Sequence, residues 1–317
     1  MLVKEACGRF LDYCQYTKKL SHHSIRAYER DLQTFLVVVG RRARLEKIDR
    51  KIITKFVDAC FADGLSHATV KRRLACLKAL FKWLENEEIL DDSPLRKFEL
   101  KVRLPHRLPR NLSVQELNKL LRICRSRLGL PKNSDYRVGE FASVSRSNLN
   151  HLTTLVCIEL LFTTGVRVGE LTGIRLQDIY LQEKFIHIRG KGQRERRVFV
   201  TDKSIRNLIE SYVQLRKITT PIDQNLLVNS RGRPATSQMV RIWLKNCSKA
   251  ANLTRVATPH MYRHSTATEL LNNGVDIIYV QKLLGHQSIS TTQIYAHVSH
   301  SDVMRNVALA NIRKEVL

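Results

Sequence analysis

The chain has 317 residues, enough for about two domains that each bury a core of their own. It carries 54 Lys and Arg against 29 Asp and Glu, a formal net charge of +25, within an otherwise ordinary mixture of 43% hydrophobic and 26% charged residues. That balance excludes an extended, disordered basic tail and places the excess charge on folded domains, where it calls for a polyanionic partner.

The longest aliphatic run, Leu36 to Val39, falls far short of the ~18 apolar residues of a membrane span, so no membrane association is expected. Lys4, Glu5 and Arg9 interrupt the start of the chain, which leaves no apolar signal core, and a cytoplasmic, nucleoid-associated protein is expected. The seven cysteines are odd in number and include no C-x-x-C pair, so they read as reduced, buried thiols rather than a disulfide or zinc framework.

Helical periodicity dominates the first hundred residues. Ser21 is placed to cap a helix in which Ile25, Tyr28, Leu32 and Phe35 recur at three- and four-residue steps. After Ser66 the positions Val70, Leu74, Leu77, Phe81 and Leu84 make one stripe. Lys71, Lys78 and Lys82 share another face, joined by Arg72 and Arg73, and these five are the candidate DNA contacts. A basic helical face is more often simply solvated, and it is the overall charge that favours DNA here. Residues 98–111 hold Pro105 and Pro109 without an apolar period and read as a linker between domains 1–97 and 112–317. The parts either side of residue 110 carry net charges of +10 and +15, as expected of two lobes that clamp a duplex.

Ser113 and Glu116 form a capping box that opens a new helix. Residues 131–150 are polar and aperiodic, which predicts a loop or small insertion that is either a surface loop or a contact to DNA or a neighbouring subunit. A helix from about His151 to Thr163 ends at Gly165. Phe185–Arg189 and Arg197–Val200 read as strands around Gly190-Lys191-Gly192, the only convincing sheet. Helices then resume: Thr258 caps one with Pro259 at its first position, and Asp276 starts another that stops at Gly285. The fold class is therefore mainly α, a helical N-terminal domain followed by a mostly helical domain with a small antiparallel β-sheet.

Polar residues cluster at these punctuation points. His260 and Arg263 stand three apart on one helix, Arg167 follows Thr-Thr-Gly-Val with Glu170 three residues on to brace it, Lys191 sits in the glycine-flanked turn, and His286 and Tyr295 follow the Gly285 break. Singly, a histidine near a helix start is more often a cap and a tyrosine is more often packing. Together they suit a phosphodiester. Two guanidiniums can fork onto its non-bridging oxygens, a tyrosine hydroxyl in a positive field can attack phosphorus, and a lysine can protonate the departing oxygen. Neither metal nor nucleotide cofactor is needed, and no G-x-x-x-x-G-K-[ST] loop is present.

Four ordered segments, TTGVRVGEL (163–171), RGKGQRERRV (189–198), TPHMYRHSTATELLNNG (258–274) and LLGHQSISTTQIYAHV (283–298), resemble those of the tyrosine recombinases, the family of phage integrases and Xer resolvases. SHHSIRAYERDLQTF (21–35) and LSHATVKRRLACLKALFKWL (65–84) resemble the family's N-terminal core-binding domain, so the likeness spans nearly the whole chain. The resemblance implies a catalytic domain at 112–317 and a site-specific recombinase working through a covalent 3′-phosphotyrosyl intermediate, for integration, excision or resolution. Tyr295 would be the nucleophile, Arg167 and Arg263 the phosphate clamp, Lys191 the general acid, His260 and His286 the completing hydrogen-bonding and proton-transfer groups, and Glu170 the support of Arg167.

It also implies double-stranded core sites as substrate and a homotetramer on two duplexes, with a C-terminal helix at about 302–316 (Val303, Val307, Leu309 and Ile312) docked in cis or in trans. No arm-binding domain precedes residue 1, which suggests short inverted core sites. Tyr262, where the family commonly has leucine, carries no assigned role. Three rivals remain: a type IB topoisomerase-like or hairpin-forming strand transferase with similar groups, a catalytically inactive DNA-binding factor, and a metal-dependent nuclease using His260 and His264, which lacks H-E-x-x-H and would set Arg263 against the cation.

Overall fold

The computed structural model of the chain describes residues 1–40, 42–96, 98, 111–132, 134–141, 144–190, 195–219, 224–285 and 300–313. It divides into two compact units, Met1–Arg107 and Leu108–Leu317. Apart from Phe98 and Asn111, the linker expected at 98–111 lies outside the described residues.

The first unit is helical: α1 (Val3–Asp12) running into a π-helical turn (Tyr13–Thr17), α2 (His22–Val39), α3 (Arg50–Ala62) and α4 (His67–Asn86). Ser21, Asp49 and Ser66 cap α2, α3 and α4, each accepting a backbone N–H of the first turn, as short oxygen-bearing side chains do. The stripe Val70, Leu74, Leu77, Phe81 and Leu84 of α4 is buried among Phe10, Phe35 and Phe56, with the last two rings edge to face at 5.3 Å. The five basic residues of α4 separate into two sets. Lys71, Lys78 and Lys82 are exposed. Arg72 and Arg73, one and two positions round the helix from Lys71, turn toward the buried carboxylate of Asp31 on α2; Arg72 pairs with it and Arg73 Nε lies 3.9 Å away.

The second unit opens with α5 (Val114–Ser126), whose capping box joins Ser113 Oγ to Glu116 N and Glu116 Oε2 to Ser113 N. Its centre is α6 (Leu149–Thr164), buried on all sides, as a helix apolar round its circumference must be. Then come the single turn α7 (Val168–Thr172), strands β1 (Ile179–Tyr180), β2 (Phe185–Arg189) and β3 (Glu195–Phe199), and helices α8 (Lys203–Thr219), α9 (Ser237–Ala250), α10 (Pro259–Asn272), α11 (Ile277–Leu284) and α12 (His300–Ala310). The sheet is antiparallel in the order β1-β2-β3, with Phe185 opposite Phe199 and Arg189 opposite Glu195. Alternation turns Ile186, Ile188 and Val198 into the core.

Of residues 131–150, Leu149 and Asn150 already belong to α6, and the described residues before them alternate exposed positions with buried anchors. Tyr136 and Phe141 are completely buried, and two 3₁₀ turns (Val138–Phe141 and Arg146–Asn148) shape the segment. The Tyr136 hydroxyl accepts from Arg125 Nε (2.8 Å) and donates to Glu159 Oε1 on α6 (2.7 Å). Two aromatic anchors and their polar bonds hold the segment without any periodic stripe. Arg313 reaches the same Glu159 at 3.2 Å, so the region after α12 is fastened to its own unit. The helix expected at about 302–316 is α12, which stops at Ala310 before Asn311 turns into the left-handed conformation (φ +34°); Val303, Val307 and Ile312 are buried, whereas Leu309 faces outward and is 78% exposed. All seven cysteines are free and buried, and burial pushes the thiols of Cys7 and Cys76 up to about 12.

Candidate active site

A cleft of about 870 Å³ opens on the second unit where the ends of α7, β2, β3, α10 and α11 meet. Arg167, Glu170, Arg196, His260, Arg263 and Lys282 stand on its wall.

Close backbone approach builds the floor. Gly165 ends α6 in the left-handed conformation (φ +61°), and a Cβ there would lie 2.5 Å from Leu284 Cδ2 and 3.3 Å from Thr266 Cγ2. Only glycine lets the end of α6 meet α10 and α11 so tightly. Arg263, 7% exposed on α10, lies across this junction and donates to the carbonyls of Gly165 (2.7 Å) and Leu284 (2.6 Å). Thr258 caps α10 and Pro259 occupies its first position, which sets the helix start one residue before the exposed His260.

Arg167 is the residue at which the chain turns into α7. Glu170 accepts both its backbone N–H (2.8 Å, Oε2) and its Nη1 (2.9 Å, Oε1), while Arg167 Nη2 donates to Gly285 O at 3.2 Å. Glu170 also receives Arg196 of β3 as a fork, Nη1 to Oε1 at 2.9 Å and Nη2 to Oε2 at 2.8 Å. Burial alone would raise the Glu170 carboxyl; hydrogen bonds from Arg196 and Arg167, with the charge of Arg196, bring it down to about 2. Burial lowers Arg263 to about 10, helped by the charges of Arg167 and Arg196 and opposed by Glu170, so it stays cationic at neutral pH. Two of the guanidiniums, Arg167 and Arg196, thus share one carboxylate, and all three reach carbonyls at the end of α11 and its cap, the negative end of that helix. A dianionic or monoanionic oxyacid meets a preformed positive cradle in this cleft.

Of the six residues singled out for catalysis, the structure brings Arg167, His260 and Arg263 together on the cleft, with Glu170 behind Arg167. Lys191, His286 and Tyr295 lie outside the described residues, although Gly190 and Gly285, the chain neighbours of Lys191 and His286, both line the cleft. Sequence inspection passes over Arg196. Its signal is the strand period: Arg196 stands two residues before the buried Val198 and therefore on the inward side of β3, where a cation needs a buried acid. Lys282 is likewise missed, since on α11 it follows no spacing that distinguishes it from a surface lysine.

The chain is similar to known proteins over most of its length. The phage integrase family matches residues 111–302, and the phage integrase N-terminal SAM-like domain matches residues 8–88. The chain is 32% identical over 311 residues to tyrosine recombinase XerD of Halalkalibacterium halodurans, covering 96% of each. It is 31% identical over 295 residues to tyrosine recombinase XerC of Thermodesulfovibrio yellowstonii, covering 91% of this chain and 90% of that one. In fold it is similar to a lambda integrase tetramer bound to a Holliday junction, with a TM-score of 0.68, 16% identity, and coverage of 96% of this chain and 78% of that one. The chain belongs to the phage integrase family of tyrosine recombinases, enzymes of site-specific DNA recombination that work through a tyrosine intermediate. Among the described residues no helix is long and apolar enough to cross a membrane.

Proposed function

We propose that the cleft holds the scissile phosphate of a recombination core site, with Arg167 and Arg263 forked onto its non-bridging oxygens. Tyr295 is the nucleophile. Its hydroxyl gives its proton to His260 as the oxygen bonds to phosphorus, the bond to the 5′ oxygen breaks, and Lys191 delivers the proton that the leaving oxygen takes up. His260 and His286 complete the pocket by hydrogen bonding and proton transfer, and Glu170 keeps Arg167 in place. The 3′-phosphotyrosyl ester conserves the bond energy, so rejoining to the 5′ hydroxyl of another strand needs neither ATP nor a metal.

The observation that carries this assignment is the convergence of Arg167 and Arg263, 96 positions apart in sequence, on one cleft whose rim includes the neighbours of Lys191 and His286. The first unit, about residues 1–97, supplies DNA affinity through the exposed Lys71, Lys78 and Lys82, with Arg72 and Arg73 at the edge of that face. Four protomers act on two duplexes in the cytoplasm; support comes from the XerC and XerD relatives and from the fold shared with the tetrameric lambda integrase.

The test is a suicide duplex, nicked beside candidate core sites from the native genetic neighbourhood, incubated with protein in EDTA and without ATP. A denaturing gel shows a protein–DNA adduct for the wild type and none for Tyr295→Phe. No adduct from either form, while both still shift DNA, overturns the catalytic assignment in favour of a binding factor. Supercoil relaxation without recombinant products would instead favour a topoisomerase-like transferase.

A further inference from the structure

The geometry points to Arg196 as a positioning residue of the strand-transfer reaction, the joint that holds three separate segments of the active site in one frame. It rests on the recombinase chemistry proposed above.

Arg196 is 15% exposed in its side chain and uses all three of its nitrogens. Nη1 and Nη2 fork onto the two oxygens of Glu170, and Nε donates to the carbonyl of Leu283 at 2.9 Å. The fork ties β3 to α7. Through Glu170 it reaches Arg167, because the same two carboxylate oxygens accept the Arg167 backbone N–H and Nη1. The bond to Leu283 ties β3 to the last turn of α11.

Neighbouring bonds fix the same place from other sides. The consecutive carbonyls of Leu283, Leu284 and Gly285 accept from Arg196, Arg263 and Arg167 respectively, so the end of α11 is held by one arginine from each of three segments. A helix leaves its last carbonyls without intrahelical partners, and here guanidiniums supply them. Gly285, in the left-handed conformation (φ +67°), passes so close to the Arg196 stem that a Cβ would lie 3.3 Å from its Cδ. His286 is the next residue, and Glu195, immediately before Arg196, stands four positions after Lys191 in the sequence. Arg196 therefore stands where the strand that follows Lys191 in sequence, the Arg167 turn and the residues just before His286 are tied to one another.

A lysine cannot replace it. Three planar donors set at fixed angles reach a carboxylate and a carbonyl at once, whereas an ammonium on a flexible stem serves one of them well. Displacing reacting groups by about 1 Å costs roughly 100-fold in rate, which sets the scale of the effect.

The experiment measures three quantities for Arg196→Ala, Arg196→Lys, Glu170→Gln and the Arg196→Ala/Glu170→Gln pair: the single-turnover rate of adduct formation on the suicide duplex, the Kd for the uncleaved site, and the melting temperature. Arg196→Ala is expected to slow the adduct roughly 10- to 100-fold with Kd changed less than about threefold, and Arg196→Lys to fall between it and the wild type. Methylguanidinium in the buffer restores part of the Arg196→Ala rate, an effect that a merely destabilised fold would not show. Adding Glu170→Gln costs little more than either change alone, because both act through the same link to Arg167.

Adduct formation by Arg196→Ala within twofold of wild type overturns the inference. So does full multiplication of the two effects, which would make Arg196 a direct phosphate ligand, or a rate loss that merely follows the folded fraction without rescue. Should Arg196→Ala fail to fold, Arg196→Lys decides: a wild-type rate rejects the positioning role. A wild-type protein that forms no adduct at all overturns the recombinase chemistry itself, a failure distinct from these.

Discussion

The two units of this chain are both basic, yet they handle their cations in opposite ways. On α4 the lysines Lys71, Lys78 and Lys82 stand in solvent, on flexible stems. In the cleft of the second unit the arginines are committed to partners, Arg263 and Arg196 largely out of water and Arg167 half-exposed: Arg263 bonds two carbonyls, Arg196 bonds Glu170 and Leu283, and Arg167 bonds Glu170 and Gly285. Exposed lysines exchange counterions with a polyanion and add affinity without fixing geometry. Guanidiniums hydrogen-bonded to fixed partners lose conformational freedom on folding, so they meet a transition state already in place. In the proposed function the same excess of positive charge thus serves attachment in one unit and chemistry in the other.

The largest departure from that picture is expected at Arg263. Replacing it by alanine removes one phosphate donor and uncaps Leu284 and Gly165, and the adduct rate should drop roughly 10²- to 10³-fold or more while gel-shift affinity changes little. A parallel loss of rate and affinity would erase the distinction between the units.

Next is the acid dependence of the cleft. The folded Glu170 carboxyl titrates at about 2, below its unfolded value, so its stabilisation is complete above the unfolded pKa of about 4.3 and disappears as pH falls toward 2. It amounts to about 3 kcal/mol at neutral pH. Thermal melts of wild type and Glu170→Gln should therefore differ most at pH 7 and converge between pH 4 and pH 2; a gap independent of pH contradicts the ion-pair account.

Gly165→Ala should cost about 1–3 kcal/mol, because the new methyl meets Leu284 in a backbone conformation that L-residues avoid. Chemical denaturation would show it as a lower midpoint, and an unchanged midpoint would mean that α11 is not seated as described. The mildest change is Lys71→Ala/Lys78→Ala/Lys82→Ala. Each phosphate that a lysine no longer neutralises lowers the slope of log K against log salt by about 0.9, so the triple variant should bind with a slope shallower by up to about 2.7. An unaltered slope would remove these lysines from the DNA face.

Where function is legible in the sequence, local chemistry and spacing carry it. Ser21, Ser66, Ser113, Thr258 and Asp276 declare helix starts that the structure contains, and Gly165 and Gly285 declare stops. Arg167, Glu170 and Arg263 stand out because motif order places them beside those caps. What sequence does not give is the long-range partner. Arg196 looks like one of several arginines in RERR until Glu170, 26 residues away, and the end of α11, 87 residues away, close on it. The segment 131–150 is hidden for a related reason: its order comes from Tyr136 meeting Arg125 and Glu159, not from any repeat of apolar residues. Leu309 is exposed because the three- and four-residue steps from Val303 lead through Val307 to Ala310 in the core, and Leu309 falls between them on the far side.

The division of labour between the two sets of cations is tested most directly by measuring, on one suicide duplex, both the salt slope of binding and the single-turnover adduct rate at saturating protein for Arg263→Ala and for the triple lysine variant. Arg263→Ala is predicted to lose the adduct and keep the slope to within about one phosphate, whereas the triple variant loses slope far more than rate. If both variants lose slope and rate in equal proportion, the cations act as a single binding surface and the cleft is not a separate catalytic frame.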